Sequence, residues 1–177
     1  MSFSWKVGAS ALALAVLLSG CSSVSLDDAN KAGTLAGQEG AATAGGNGID
    51  NPFADPSNPL STRSIYFGFD SYDVEQKYMP AVQAHAQFLN AHPDVKIQIQ
   101  GNTDERGGRE YNLALGQKRS EAVKQRLQLL GVPSQNIEAV SYGKEKPVAT
   151  GHSEEAWAQN RRADIVYPAA VINGQVR

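Results

Sequence analysis

Apolar residues recur with a regular period only beyond about residue 64. Residues 64–69 read Ser-Ile-Tyr-Phe-Gly-Phe, a β-branched and aromatic run that predicts a strand ending at Asp70. Val82, Ala86 and Leu89 then return at helical spacing, with Pro80 in the first turn and Pro93 at the break beyond. Val95, Ile97 and Ile99 alternate with Lys96, Gln98 and Gln100, the pattern of a half-buried strand. A loop over 102–109 leads into a long helix whose inward stripe is Leu115, Arg119, Ala122, Val123, Arg126, Leu127 and Leu130. Gly131 and Pro133 stop it. Residues 137–142 predict a third strand. Ser153 caps a short helix, Glu154 and Glu155 favour its N-terminal end, and Trp157 to Arg161 complete it. Ala163, Ile165 and Tyr167 alternate in a last strand ended by Pro168, and residues 169–177 carry no periodic signal. The order strand, helix, strand, helix, strand, short helix, strand predicts an α+β sandwich: a mixed four-stranded sheet with helices on one side.

The start of the chain has a different character. Lys6 precedes an apolar run over 7–18 that is too short to span a bilayer. Leu18-Ser19-Gly20-Cys21 has the form of a lipobox, and Cys21 is the only cysteine of the chain. Residues 1–20 are thus expected to be a lipoprotein signal and Cys21 the lipidated residue. The competing reading is an ordinary secretory signal with a chance cysteine. Lipidation would leave no thiol for a disulfide, a metal or a nucleophile in the mature protein. Buried methylenes contribute about 0.8 kcal/mol each, so two or more acyl chains hold a protein on a leaflet. Ser22 stands where an aspartate would retain an enteric lipoprotein in the inner membrane, so the expected location is the outer membrane, with the domain facing the periplasm. Residues 22–61, rich in Gly, Ala, Asn, Asp and Ser with Pro52, Pro56 and Pro59 near the end, are expected to form a flexible tether. A coil of this kind spans roughly 35 Å on average and about 130 Å extended. Residues 62–168 make one domain.

Sixteen basic against eighteen acidic side chains in 177 residues, a formal net charge of -2, argue against a nucleic-acid partner. The distinctive chemistry lies in Gly101-Asn102-Thr103-Asp104-Glu105-Arg106-Gly107 and in the helix that follows. Asp104 sits on a glycine-flanked loop after a strand. Arg119 interrupts an apolar stripe, where a guanidinium is costly unless an acid or an anionic ligand meets it. An acid and a base held close together can capture a zwitterion. A structural salt bridge tying loop to helix explains the spacing equally well. Asp70, closing the first strand, is expected to line the same cleft. His152, Glu154 and Glu155 fit an exposed helix start better than a metal site. Asp104, Glu105 and Glu110 lack a protected second carboxyl for glycan cleavage. No cofactor motif is evident.

From about Ser64 to Tyr167 the chain resembles the OmpA C-terminal-like, peptidoglycan-binding domain family, through the Asp104-to-Arg119 segment with Tyr111-Asn112-Leu113-Ala114-Leu115 and through Asn160-Arg161-Arg162 before the last strand. With its leader included, it resembles lipoproteins of that family. The resemblance implies a non-enzymatic protein that holds the outer membrane to the cell wall. Asp104 would take the ammonium and Arg119 the carboxylate of diaminopimelate. Asn112 would add a hydrogen bond, Leu115 an apolar floor, and Arg161 a contact to the ligand or to an acidic loop residue. It further implies the Tol system, with the periplasmic propeller protein TolB as partner. The alternatives are an OmpA-like lipoprotein outside that system and a peptidoglycan hydrolase. Asn102 stands where histidine is commoner in the family. Gly108-Arg109 replaces a frequent Thr-Pro, which removes a cap and a preset backbone angle from the loop.

Overall fold

The computed structural model describes residues 51–175. The leader, Cys21 and most of the expected tether lie outside the described residues. The regular elements are β1 (Ser64–Tyr66), α1 (Met79–Ala91), β2 (Ile97–Asn102), α2 (Arg109–Leu129), β3 (Ile137–Gly143), α3 (Glu154–Asn160), β4 (Arg162–Val166) and α4 (Ala169–Ile172). The four strands form one mixed sheet in the order β1-β4-β2-β3. β4 runs antiparallel to both β1 and β2, while β2 and β3 are parallel. The α+β sandwich expected from the periodicity is the fold observed.

Strand alternation sets the two layers. Ile65, Ile97, Ile99, Ala163 and Ile165 are buried under α1 and α2 together with Val82, Leu89, Val123 and Leu127. Gln98, Gln100 and Glu138 fall on the opposite face, where Gln98 donates to Glu138. Each period-two strand therefore contributes one face to the core. α2 ends as expected: Gly131 adopts φ 94°, its N–H donates to Gln128 and that of Val132 to Leu127, the paired bonds of a Schellman stop.

Several features differ from expectation. β1 ends at Tyr66 rather than Phe69. Phe67 still donates to the Arg161 carbonyl, but Asp70 then takes a left-handed φ of 54° and the chain turns across the end of the sheet. β4 stops at Val166, one residue before Tyr167, which leaves the ladder but packs against Phe53 and Phe88. Arg126 and Leu130 of the expected α2 stripe are exposed, whereas Leu127 in the same turn is fully buried. The tether gives way to packed chain well before residue 61: Phe53 and Leu60 are both in the core, and Asn58 caps a 3-10 turn over Pro59–Ser61. The tail also carries structure, for α4 buries Val171 against the same core.

Candidate functional site

The parallel β2–β3 pair aims its C-terminal ends at one edge of the sheet, and the loop after β2 lies across that edge. Phe69 and Asp70 approach from the turn after β1, and the first half of α2 closes the floor. Between them lies a cavity of about 210 Å³ lined by Asp70, Asp104, Asn112, Leu115 and Arg119, with Phe69, Thr103, Arg106, Gly107 and Tyr111. Five of the six ligand residues expected from the sequence meet there. The sixth, Arg161, lies beneath the wall and touches Asp104 from behind, with Nη1 3.4 Å from Oδ2.

Arg119 is fully buried yet pairs with no carboxylate. Nε donates to the Ser71 carbonyl at 2.8 Å, Nη1 to that of Asn102 at 2.9 Å, and Nη2 to that of Gly68 at 3.0 Å. Three of its five N–H groups thus fix the guanidinium, and each terminal nitrogen keeps one spare donor. Burial, with the charge of Arg161, pulls its pKa down to about 10 against the pull of Asp104, Tyr111 and Asp70, so the group remains a cation at neutral pH. The ring of Phe67 lies 5.2 Å from its centre. The structural salt bridge between Asp104 and Arg119 is therefore absent.

Asp104 is met instead by arginines that flank it. Arg106 forks onto it, Nη2 to Oδ2 at 2.6 Å and Nε to Oδ1 at 3.2 Å, while the Arg106 backbone N–H also donates to Oδ1. Burial raises the pKa of Asp104, but the bonds and charge of Arg106, joined by Arg161, outweigh it and leave the carboxyl below its usual value. A carboxyl held ionised in this way is a poor general acid.

The loop keeps its shape without a side-chain cap at Gly108. Lys144 Nζ donates to the carbonyls of Glu105 and Gly107, and Asn112 Nδ2 to that of Arg106 at 2.7 Å. Asn112 is thus both cavity wall and loop clamp. Asn102 is buried; its carbonyl receives Arg119, and its amide donates to Gln100 and Asp164. His152 binds Glu105 beside Trp157, and Ser153 caps α3.

Sequence reasoning overlooked Arg106, Phe69 and Tyr111. Arg106 lies between the rings of Phe69 and Trp157, 4.4 and 4.0 Å from their centres. Tyr111 donates to Asp70, the one non-glycine residue among those described with a left-handed backbone. Tyr111 stands one turn before Leu115 on the same helical face, a spacing legible in the sequence. The aromatic sandwich around Arg106 joins residues too far apart along the chain to be read there.

The family model described as OmpA family matches residues 66–161. The chain belongs to the OmpA family, a binding and structural family rather than an enzymatic one. Within it the chain groups with the peptidoglycan-associated lipoproteins. It is 46% identical to that of Haemophilus influenzae over 150 residues, covering 85% of this chain and 90% of the relative. It is 43% identical to that of Pseudomonas aeruginosa over 162 residues, covering 90% and 95%. The crystal structure of the peptidoglycan-associated lipoprotein from Burkholderia pseudomallei superposes with a TM-score of 0.64 at 63% identity, over 66% of this chain and 99% of that one.

Proposed function

We propose that this protein binds diaminopimelate-type peptidoglycan non-covalently through the Asp104–Arg119 cleft and so tethers the outer membrane to the cell wall. The observation that carries the reading is the state of Arg119: a buried cation, tied by three backbone carbonyls, with one donor left on each terminal nitrogen at the floor of a cavity. That is a receptor for a planar carboxylate. Asp104 lines the same cavity as the acceptor for the adjacent ammonium. Leu115 supplies apolar floor, Asn112 and Asp70 polar wall, and Arg161 supports Asp104. The names of the relatives favour peptidoglycan as the source of such a zwitterion.

Lipidation at Cys21 anchors the other end in the outer membrane, with the domain in the periplasm. The protein works within the Tol–Pal system, with TolB as partner, in envelope integrity and cell division. Competition between TolB and sacculi for the purified protein tests that assignment, and a stable ternary complex would count against a shared cleft. Mass spectrometry of the membrane-extracted protein tests the anchor, and an unacylated Cys21 would exclude it.

The ligand itself is tested by titrating stem fragments. Lysine-type stems lack the second carboxylate and leave Arg119 without its partner, which costs roughly ten- to a hundred-fold in affinity. Equal affinity for the two stem types, or undiminished binding by folded Asp104→Ala, would sink the assignment.

A further inference from the structure

Asp104 has no free acceptor position. Its two oxygens offer about four lone-pair directions. Oδ1 takes the backbone N–H and the Nε–H of Arg106, and Oδ2 takes Nη2 of Arg106 and Nη1 of Arg161. Two of these four bonds come from the Arg106 side chain, which itself lines the cavity. An incoming ammonium therefore meets a site already filled by a cation of the chain.

We infer that Arg106 is an internal competitor for the ligand's ammonium: its guanidinium occupies Asp104 in the free protein and moves to Glu154 when the ligand binds. This rests on the proposed role of Asp104. The route is built into the structure. The guanidinium lies between the rings of Phe69 and Trp157, and Glu154 Oε2 stands 3.9 Å from Nη2. A slide between the rings exchanges one carboxylate for the other while both cation–π contacts persist. Arg161 already holds the other oxygen of Glu154 at 2.6 Å, which keeps that carboxylate beside the cleft. The remaining bonds to Asp104, from the Arg106 backbone and from Arg161, need not change.

The exchange makes Arg106 an affinity-setting residue for any ligand that brings an ammonium to Asp104. A bare amine must displace a forked arginine and gains nothing at Arg119. A bare carboxylate gains Arg119 alone. A zwitterion with both groups on one carbon displaces Arg106 and satisfies Arg119 in the same step, so it alone offsets the displacement with a second contact.

The test compares wild type with Arg106→Gln, titrated with a soluble diaminopimelate-stem muropeptide and with a simple alkylamine. An exchange of partly exposed ion pairs is worth little, so Arg106→Gln is expected to bind the muropeptide roughly two- to fivefold tighter. The alkylamine is expected to tighten by the same factor, because it displaces the same guanidinium from Asp104. As a second measurement, the Arg106 Nε–H resonance of the wild type should shift on saturation, with loss of its coupling to the Asp104 carboxylate. Unchanged or weaker binding by Arg106→Gln, or an Arg106 still bonded to Asp104 in the complex, overturns the inference. Asp104→Ala run in parallel separates the two levels. If it loses binding while Arg106→Gln fails to tighten, only the competitor role falls; if it binds like wild type, the assignment of the cleft falls too.

Discussion

Gly101 and Gly116 meet backbone to backbone where α2 crosses β2. A Cβ on Gly101 would lie 1.8 Å from the Gly116 carbonyl oxygen, and one on Gly116 would lie 2.3 Å from Ser141 Oγ and 2.9 Å from the Gly101 oxygen. This approach seats α2 low on the sheet, so that Arg119, less than one turn beyond Gly116, reaches the Asn102 carbonyl at the end of β2. Gly101→Ala is expected to cost about 1–3 kcal/mol or more, because backbone faces the new methyl and cannot rotate away. Gly116→Ala should cost less, since the backbone oxygen of Gly101 is met only at 2.9 Å, Ser141 can change rotamer at the loss of its bond from Gly143, and alanine favours a helix by about 1 kcal/mol over glycine. Thermal denaturation of the two variants checks the order; a Gly101→Ala domain as stable as wild type would contradict the packing described.

Arg119→Ala is expected to fail on folding as well as on binding. Removing the guanidinium strands the carbonyls of Gly68, Ser71 and Asn102, at about 1–3 kcal/mol for each one that water cannot reach. Arg119→Lys keeps a charge but has no planar fork to span the three, and should be intermediate. Asp104→Ala leaves Arg106 and Arg161 near other acceptors and should be the milder change. Urea unfolding ranks the three, and Arg119→Ala at wild-type stability would show that the carbonyl contacts contribute little.

The buried His85 should make stability depend on pH. Its Nε2 faces the Thr62 carbonyl at 3.0 Å and so carries the proton, while Tyr167 OH donates to Nδ1 at 2.9 Å. Burial lowers its pKa below the usual 6.5, with the Arg63 charge assisting and the Thr62 bond opposing. Above pH 6.5 the ring is neutral folded or unfolded, and this source of stability is complete. As pH falls below that value, the unfolded chain takes a proton that the folded domain refuses, so stability drops by at most about 1.4 kcal/mol per unit until the folded value is reached. Urea midpoints between about pH 7.5 and pH 5 should show this slope in wild type and its loss in His85→Gln. An identical slope in both would assign the effect to other groups.

The segment before β1 should be required for stability. Phe53 stacks edge-on with Phe88 at 5.1 Å and lies against Tyr167 at 4.8 Å, and Leu60 is buried beside α1. Phe53→Ala should cost about 3–5 kcal/mol and Leu60→Ala about 2–5. A fragment beginning at residue 62 should melt far below one beginning at residue 51, and equal melting temperatures would restore the tether to its expected length.

Much of this protein is written in its local pattern. Period-two alternation placed Ile97, Ile99, Ala163 and Ile165 on one face, and helical spacing placed Val82, Leu89, Val123 and Leu127 opposite, because burial of a face requires that regularity. Gly131 and Ser153 marked their helix ends by backbone and side-chain chemistry that acts within four residues. An arginine inside an apolar stripe marked the cleft, since its burial demands a partner. Which partner it found was beyond the sequence. Backbone carbonyls of Gly68, Ser71 and Asn102 carry no residue-type signal, and only the turn after β1 brings two of them over α2. The same holds for the Phe69–Arg106–Trp157 sandwich and for Phe53 in the core: a composition poor in periodicity conceals single anchors whose burial is decided by distant chain. Local pattern determined the elements and the charged pair; the tertiary fold decided that Asp104 and Arg119 would share a cavity without touching, because Arg119 was satisfied by carbonyls that only long-range packing supplies, while Asp104 was taken by its neighbour Arg106 and by the distant Arg161.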